Sequence, residues 1–225
     1  MNLKEMAAER AVGCVQSGMV VGMGTGTTAR YFVEMLGQRL LDGRLKNILG
    51  VPTSSETERL ARHWEIPLTS LREHSLLDLT VDGADEVGPG LVLIKGQGGA
   101  LLHEKIVARA SRQEIIVADE GKLVQILGSR APVAVEVIPF GWPTYESALR
   151  GLGCEPQLRM VDDEPYLTDE RNYIVDCHFA QIDDPRGLER ELNSITGVVE
   201  NGLFVGLAHR AFIASPTGVT ELSAA

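Results

Sequence analysis

Three carboxylates lie within five residues of one another in the segment VDGADEV, at Asp82, Asp85 and Glu86. The apolar residues before them predict a buried strand, and in an open α/β sheet ligands bind beyond the carboxyl ends of the strands. Acid-rich turns are commonly solvated caps, so this motif indicates a functional site only if other polar loops meet it.

A cation and three glycines follow the next apolar segment, in the sequence KGQGG at residues 95–99. Glycines let backbone amides approach a ligand closely. The helix predicted after this loop carries Glu104 in its first turns, where a glutamate often does no more than complement the helix dipole. Near a lysine and further carboxylates, the same glutamate is suited to proton transfer next to a carbonyl, with a cation holding the enolate oxygen.

The segment GMGTGTTAR at residues 22–30 follows an apolar run and opens a predicted helix. Its amides and hydroxyls converge at the positive end of a helix dipole, which predicts a phosphate site. The spacing also matches a loose dinucleotide fingerprint, but the second predicted strand ends without an acidic residue for a ribose. A purely structural turn is the third interpretation. Lys122 is placed to reach a phosphate from the other side, although alone it is an ordinary surface lysine.

Strands alternate with helices along the first half of the chain. The periodicity predicts strands over residues 19–23, 47–51, 77–81, 91–94 and 114–118, and helices over 3–16, 29–41, 56–63 and 100–110. This alternation predicts an α/β fold with a doubly wound, Rossmann-like, mostly parallel sheet covered on both faces. The loops with residues 22–30, 82–86 and 95–99 are then expected to meet at one edge of that sheet.

The pattern changes near Arg130, where prolines punctuate the alternating stretch VAVEVIP. The elements that follow have the order βαββαβ, closed by a strand at residues 202–205, which is the order of a ferredoxin-like α+β fold. We therefore expect a large catalytic domain of residues 1–129 and 207–225, and a small ferredoxin-like domain of residues 130–206.

The net charge of −10 over 225 residues argues against non-specific nucleic-acid or membrane binding, because both need a basic surface. The first ten residues do not resemble a secretory signal, and no apolar run approaches a membrane span. Three widely spaced cysteines without a CxxC pair fit free thiols in the cytoplasm. His103-Glu104 begins like the zinc motif HExxH, but Val107 stands where the second histidine belongs, so no metal is predicted.

The motifs together resemble one family, the type A ribose-5-phosphate isomerases. The resemblance runs in order through GMGTGTTAR, VPTSSET, VDGADEV, IKGQGGALLHEKI, VADEGKLV, VAVEVIP and GVVENGLF, and it covers nearly the whole chain. It implies interconversion of ribose 5-phosphate and ribulose 5-phosphate through a base-catalysed enediolate, in the non-oxidative branch of the pentose phosphate pathway. It further implies a sugar-phosphate substrate, no cofactor, and a homodimer or homotetramer.

The resemblance also implies roles for individual residues. Glu104 matches the proton acceptor, Lys95 the cation at the developing oxyanion, and Lys122 a phosphate contact. By matching position, the catalytic residues are Glu104, Asp82, Asp85 and Lys95, and the substrate contacts are Thr25, Gly26, Thr27, Thr28, Asp82, Gly83, Ala84, Asp85, Lys95, Gly96, Gln97, Gly98 and Lys122.

Two departures from the family pattern matter, at Gln97 and Leu102, since the family usually has KGGGAALTREK where this chain has KGQGGALLHEK. Gln97 costs backbone freedom if its φ must be positive, and its side chain is placed to alter the sugar site. Leu102 replaces a hydroxyl shortly before Glu104. Since neither touches the carboxylate or the cations, we expect the activity to persist with altered affinity.

Two other classes of protein compete with the isomerase. A non-catalytic sugar-phosphate sensor normally carries a DNA-binding module, for which the 18 residues before the first predicted strand are too few. An NAD-linked dehydrogenase is disfavoured by the missing acid after the second strand.

Overall fold

The structure is a computed structural model that describes residues 2–224. In chain order its helices and strands are α1 (Leu3–Val12), β1 (Val20–Met23), α2 (Thr27–Leu41), β2 (Leu49–Pro52), α3 (Ser55–His63), β3 (Leu79–Asp82), β4 (Glu86–Val87), β5 (Leu93–Ile94), α4 (Leu101–Arg109), β6 (Glu114–Asp119), β7 (Val133–Val137), α5 (Pro143–Gly151), β8 (Glu155–Leu158), β9 (Met160–Val161), β10 (Glu164–Pro165), β11 (Tyr173–His178), α6 (Pro185–Ser194), β12 (Val198–Asn201), β13 (Leu203–Phe204), β14 (Arg210–Ser215) and β15 (Gly218–Ser223). Short 3₁₀ turns cover Pro89–Leu91 and Glu120–Lys122.

The chain divides into two compact units. Unit 1 consists of the described parts of Met1–Ala84, His103–Lys122 and Gly206–Ala225, and unit 2 consists of Asp85–Leu102 and Leu123–Val205. None of the helices within residues 2–224 is long and apolar enough to cross a membrane.

Unit 1 contains a six-stranded sheet in the order β15-β14-β6-β3-β1-β2. All neighbouring pairs are parallel except β14 and β15 at one edge. Successive residues of β1 point to opposite faces, and they contact different helices. Val21 belongs to the same core cluster as Phe32 of α2, whereas a Cβ at Gly22 would lie 2.7 Å from a methyl group of Val107 in α4. Helices therefore cover both faces, which confirms the predicted doubly wound α/β fold.

Unit 2 contains a four-stranded antiparallel sheet in the order β12-β7-β11-β8. With α5 and α6 the chain order is the predicted βαββαβ of a ferredoxin-like fold. Its apolar core includes Val135 of β7, Leu149 of α5, Val175 of β11 and Leu192 of α6. The hairpin β9–β10 is inserted between the second and third strands of this order.

The strand before Lys95 does not belong to the six-stranded sheet, so the prediction that its loop follows a strand of the parallel sheet is wrong. β5 instead forms a small antiparallel sheet with β4 and β13. The physical reason is the short connection between Val87 and Leu93, because a parallel crossover needs about a dozen residues or more. The 3₁₀ turn at Pro89–Leu91 reverses the chain within that connection.

Two further boundaries differ from the prediction. The ferredoxin-like sheet is closed by β12, and the residues expected to close it, 202–205, contain β13 instead. The side chain of Asn201 accepts a hydrogen bond from the amide of Leu203 at 3.0 Å, which turns the chain out of the sheet. α1 ends at Val12 rather than residue 16, and Gly18 lies in a later turn with a φ of 91°.

The boundaries between the two units differ from the predicted domain boundaries at residues 130 and 207. Residues 85–102 and 123–129 fall in unit 2. One reason is that β5 pairs with both β4 and β13. Another is that the buried carboxylate of Glu86 accepts hydrogen bonds from the amides of Gly128, Arg130 and Ala131. The domain boundaries stay a prediction.

Candidate active site

The carboxyl ends of the parallel strands in unit 1 carry most of the predicted polar residues. β1 leads into the loop at Thr25, β3 ends at Asp82, and β6 leads into the turn that carries Lys122. Because these strands are parallel and adjacent or nearly so, their loops lie along one edge of the sheet. The sequence correctly predicted this part of the arrangement.

The N-terminus of α2 is open to an anion. Its N-cap, Gly26, has a φ of 105°, and its first turn contains no acidic residue. The amides of a first turn have no partner within the helix, and the dipole makes that end positive. Thr27 is exposed at this end of the helix, and Thr28 is half-buried.

Lys4 also lies at this helix end, and sequence reasoning did not single it out. Its Nζ donates a hydrogen bond to Oγ1 of Thr27 at 2.7 Å. Lys4 belongs to α1, and α1 packs against α2 in the main core of unit 1. No local motif marks this lysine, since its position depends on a contact between two helices.

The loop after β1 is held by hydrogen bonds between the hydroxyl of Thr25 and the hydroxyls of three residues at the start of α3 or just before it. Oγ1 of Thr25 lies 2.8 Å from Oγ1 of Thr53, 2.8 Å from Oγ of Ser54 and 3.1 Å from Oγ1 of Thr57. Thr57 in turn donates to the carbonyl of Gly24 at 2.9 Å. Thr25, Thr53 and Thr57 are buried, so these bonds fix the loop through side chains of α3 and of the two residues before it rather than through solvent.

Asp82 is fully buried at the end of β3 and contacts this loop directly. Its Oδ1 accepts hydrogen bonds from the amides of Thr25 at 3.2 Å and Gly83 at 2.7 Å. The amide of Gly24 donates to the carbonyl of Val81 at 2.9 Å. The loop after β1 and the carboxylate after β3 therefore form one hydrogen-bonded group, with Gly83 and Ala84 half-buried beside it.

Glu104 is placed by the packing of α4 on the sheet. Ser111, just beyond the C-terminus of α4, lies 2.6 Å from Thr80 through their hydroxyls, and the carbonyl of Ala110 accepts from the amide of Leu77. α4 thus runs antiparallel to β3, with its first turn toward the carboxyl end. Glu104 precedes Val107 by three residues, which is about 4.5 Å nearer that edge at the rise of an α-helix. Its side chain is buried, at 4% exposure.

Lys122 ends the 3₁₀ turn after β6 and is half-buried. Asp119 shapes this turn, since its Oδ1 accepts a hydrogen bond from the amide of Gly121 at 3.0 Å. A cation therefore follows the strand next to the one that ends in Asp82.

The remaining predicted residues lie in unit 2, and Lys95 is the one cation among them. Its exposure is 3%, its amide donates to the carbonyl of Gly202, and its Nζ lies 5.3 Å from the centre of the Phe204 ring. An aromatic face stabilises an ammonium group in such a position. Lys95 is thus held by Gly202 and by Phe204 of β13 rather than by a neighbouring strand of the parallel sheet.

The loop at residues 95–99 also binds the last of the predicted acids. The amide of Gln97 donates to Oδ2 of Asp85 at 3.0 Å, and the amide of Asp85 donates to the carbonyl of Ile94. Gly96 and Gly99 have φ values of 111° and 75°, whereas Gln97 is not among the residues with positive φ. The anticipated backbone cost at Gln97 is therefore absent, and its side chain is exposed together with Gly98. Leu102 is half-buried in the first turn of α4.

Comparison with protein families gives one match. A family model described as ribose 5-phosphate isomerase A (phosphoriboisomerase A) matches residues 49–218. Ribose-5-phosphate isomerase A of Bacillus mycoides is 50% identical over 222 residues, which cover 98% of this chain and 99% of that protein. The protein of the same name from Deinococcus radiodurans is 47% identical over 221 residues, covering 98% and 97%.

Solved structures agree with this match. A D-ribose-5-phosphate isomerase in complex with phospho-erythronic acid superposes with a TM-score of 0.97 at 42% identity, covering 99% of this chain and 100% of the other. Ribose 5-phosphate isomerase A from Methanocaldococcus jannaschii superposes with a TM-score of 0.94 at 42% identity, covering 98% of each chain.

Proposed function

The chain belongs to the ribose 5-phosphate isomerase A family, and from that premise we propose that Glu104 is the base of its reaction. The protein is an isomerase that interconverts ribose 5-phosphate and ribulose 5-phosphate, a step of the pentose phosphate pathway. The observation that carries the assignment of the base is the burial of the Glu104 carboxylate in the turn of α4 nearest the edge where Asp82 and the N-terminus of α2 lie. The sensor alternative has no support from the relatives.

The reaction moves one proton between adjacent carbons of the opened sugar. Glu104 takes the proton from C2 of the aldose, which leaves an enediolate, and returns it to C1. Lys95 stabilises the negative charge that develops on the oxygen. The C2 hydroxyl becomes the carbonyl and the C1 carbonyl becomes the hydroxyl, so a second proton passes from O2 to O1. Asp82 and Asp85 are the carboxylates we assign to that transfer.

The far end of the substrate is a phosphate dianion, which we assign to the N-terminus of α2. Gly26, Thr27 and Thr28 provide amides there, Thr27 and Thr28 also provide hydroxyls, and Lys4 and Lys122 add charge. Thr25, whose amide and hydroxyl are bonded to Asp82 and Ser54, holds the loop in place for the substrate. A solved relative is in complex with phospho-erythronic acid, itself a phosphate ester, which supports a phosphorylated substrate. We assign the remaining sugar contacts by position in the family pattern. They are Gly83, Ala84, Gly96, Gln97 and Gly98.

A direct assay tests reaction and substrate together. The purified chain is incubated with ribose 5-phosphate, and ribulose 5-phosphate is followed with and without a chelator. We expect conversion at the same rate in both samples, because the proposed chemistry needs only protein groups. Binding of ribose 5-phosphate without conversion would contradict the isomerase assignment, and a rate that falls with the chelator would contradict the metal-independent mechanism.

Lys4→Met should weaken recognition of the phosphate. A charge-assisted hydrogen bond typically contributes about 1.5–3 kcal/mol, so KM for ribose 5-phosphate should rise about 10- to 100-fold with a smaller change in kcat. Steady-state kinetics with ribose 5-phosphate and with unphosphorylated ribose separate the two ends of the substrate. Lys46→Met, at an exposed lysine of unit 1, is the matched control. An equal loss with both substrates would refute a phosphate role for Lys4.

We also propose that the protein acts in the cytoplasm as a homodimer or homotetramer, with a catalytic domain of residues 1–129 and 207–225. Light scattering on the purified chain gives the oligomeric state. A monomer at working concentration would contradict that part of the proposal.

A further inference from the structure

The loop that carries Gly96, Gln97 and Gly98 is held by one arginine of the ferredoxin-like sheet. Nη1 of Arg159 donates to the carbonyl of Gly96 at 3.0 Å and to the carbonyl of Gln97 at 3.1 Å. Arg159 lies between β8 and β9, about sixty residues further along the chain. The family motifs quoted above do not include it.

The guanidinium of Arg159 is itself fixed from its other side. Its Nε donates to Oδ2 of Asp176 at 2.9 Å, and its Nη2 binds Oδ1 of the same carboxylate. The two side chains are 15% and 17% exposed, so solvent screens this bidentate pair only partly. The backbone of Arg159 is hydrogen-bonded to Ile174 and Tyr166. The group that reaches the loop therefore has one orientation.

Tyr166 supports the same arrangement. Its ring lies under the guanidinium of Arg159, with 5.7 Å between the ring centre and the central carbon, and its hydroxyl donates to the carbonyl of Gly98 at 3.4 Å. A Cβ at Gly99 would lie 2.2 Å from that hydroxyl, so in this chain a larger residue would displace Tyr166 from the loop. The loop and the tyrosine are packed in direct contact.

The contacts of Arg159 determine where the loop amides point. The described peptide bonds are all trans, so each carbonyl points away from the N–H of the same peptide unit. The carbonyl of Gly96 and the amide of Gln97 belong to one unit, which binds Arg159 on one side and Asp85 on the other. The carbonyl of Gln97 binds Arg159 in the same way, which turns the amide of Gly98 away from the arginine.

We propose that Arg159, fixed by Asp176, is a positioning residue of the isomerase: it orients the Gly96–Gln97 and Gln97–Gly98 peptide units so that their amides face Asp85 and the sugar. This proposal rests on the assignment of the loop to the substrate site. Arginine is required, because Nε and Nη2 bind the carboxylate while Nη1 binds two carbonyls, and a lysine ammonium has no planar fork with which to do both. Small displacements of positioning groups cost rate, by as much as about 10²-fold for 1 Å.

The test compares Arg159→Met, Arg159→Lys and Asp176→Asn with the unmodified chain. We expect kcat to fall about tenfold or more in Arg159→Met, with no recovery in Arg159→Lys and a smaller fall in Asp176→Asn. The ¹⁵N–¹H signals of Gln97 and Gly98 should shift in each variant, both in the free protein and with phospho-erythronic acid bound. These signals report the orientation of the loop independently of turnover.

Arg210→Met is the matched control, because it breaks the Arg210–Glu221 pair between β14 and β15. It should lower the melting temperature without changing kcat or the two amide signals. Unchanged kcat and amide signals in a folded Arg159→Met protein would overturn the proposal, as would an equal kinetic loss in Arg210→Met. If Arg159→Met does not fold, full activity in Arg159→Lys overturns the proposal. An unmodified chain without isomerase activity refutes the proposed function instead, while the amide signals still test the loop.

Discussion

Glu104→Gln should lower kcat about 10²- to 10⁴-fold, the range over which a positioned general base accelerates proton transfer. Glutamine keeps the size of the side chain and one acceptor oxygen but cannot accept the C2 proton. KM should change little, because the proposed phosphate site at the N-terminus of α2 does not include Glu104. Steady-state kinetics of the conversion of ribose 5-phosphate to ribulose 5-phosphate measure both constants.

A second measurement separates the base from the other catalytic groups. In deuterium oxide the unmodified chain should introduce deuterium at the carbon that receives the proton, and Glu104→Gln should lose this incorporation to the same extent as turnover. Glu56→Gln is the matched control, because Glu56 occupies the first turn of α3 and is exposed. If Glu104 only complements a helix dipole, both variants should show a small loss of stability and no kinetic loss. Near-normal turnover in folded Glu104→Gln would exclude it as the base.

Lys95→Met should be the second most damaging change, with a fall in kcat of about 10²- to 10³-fold, as for the loss of one group that stabilises an oxyanion. The side chain is buried beside Phe204, where a charge acts with little screening by water. Methionine replaces the stem of the lysine with a side chain of similar length, so the loss isolates the charge.

For Lys95→Met we would measure the affinity for phospho-erythronic acid, the melting temperature and kcat, because together they separate loss of catalysis from loss of binding or of stability. Lys46→Met serves again as the control for loss of a lysine. We expect kcat to fall much more than stability. A variant that binds the analogue and turns over ribose 5-phosphate as the unmodified chain does would place the oxyanion elsewhere.

Local patterns were sufficient for the parallel sheet and for the residues at its edge. Apolar runs ending in polar loops placed β1, β3 and β6, and adjacency of parallel strands then placed Thr25, Asp82 and Lys122 without any tertiary information. The ferredoxin-like order was likewise readable, because its strands alternate and its helices are amphipathic.

The pairing of strands that are distant in the chain could not be predicted from the sequence. The apolar run before Lys95 looks like any other buried strand, and only the five residues between Val87 and Leu93 indicate an antiparallel partner. Lys4 and Arg159 reach the candidate residues from a helix and a strand connection that contain no motif. Their positions follow from packing of elements far apart in the chain, which periodicity does not encode.

The cluster of hydrogen-bonded hydroxyls of Thr25, Thr53, Ser54 and Thr57 restricts which substitutions these positions can accept within the family. Four hydroxyls contribute four protons, and the protons of Thr53 and Thr57 are directed at the carbonyls of Met23 and Gly24. Replacing one hydroxyl by a methyl group removes a donor and an acceptor at once and leaves a buried neighbour without its partner. Accepted substitutions at Thr25 should therefore keep a hydroxyl, so that serine is tolerated there more readily than valine, although its partners Thr53 and Thr57 stand 28 and 32 positions away.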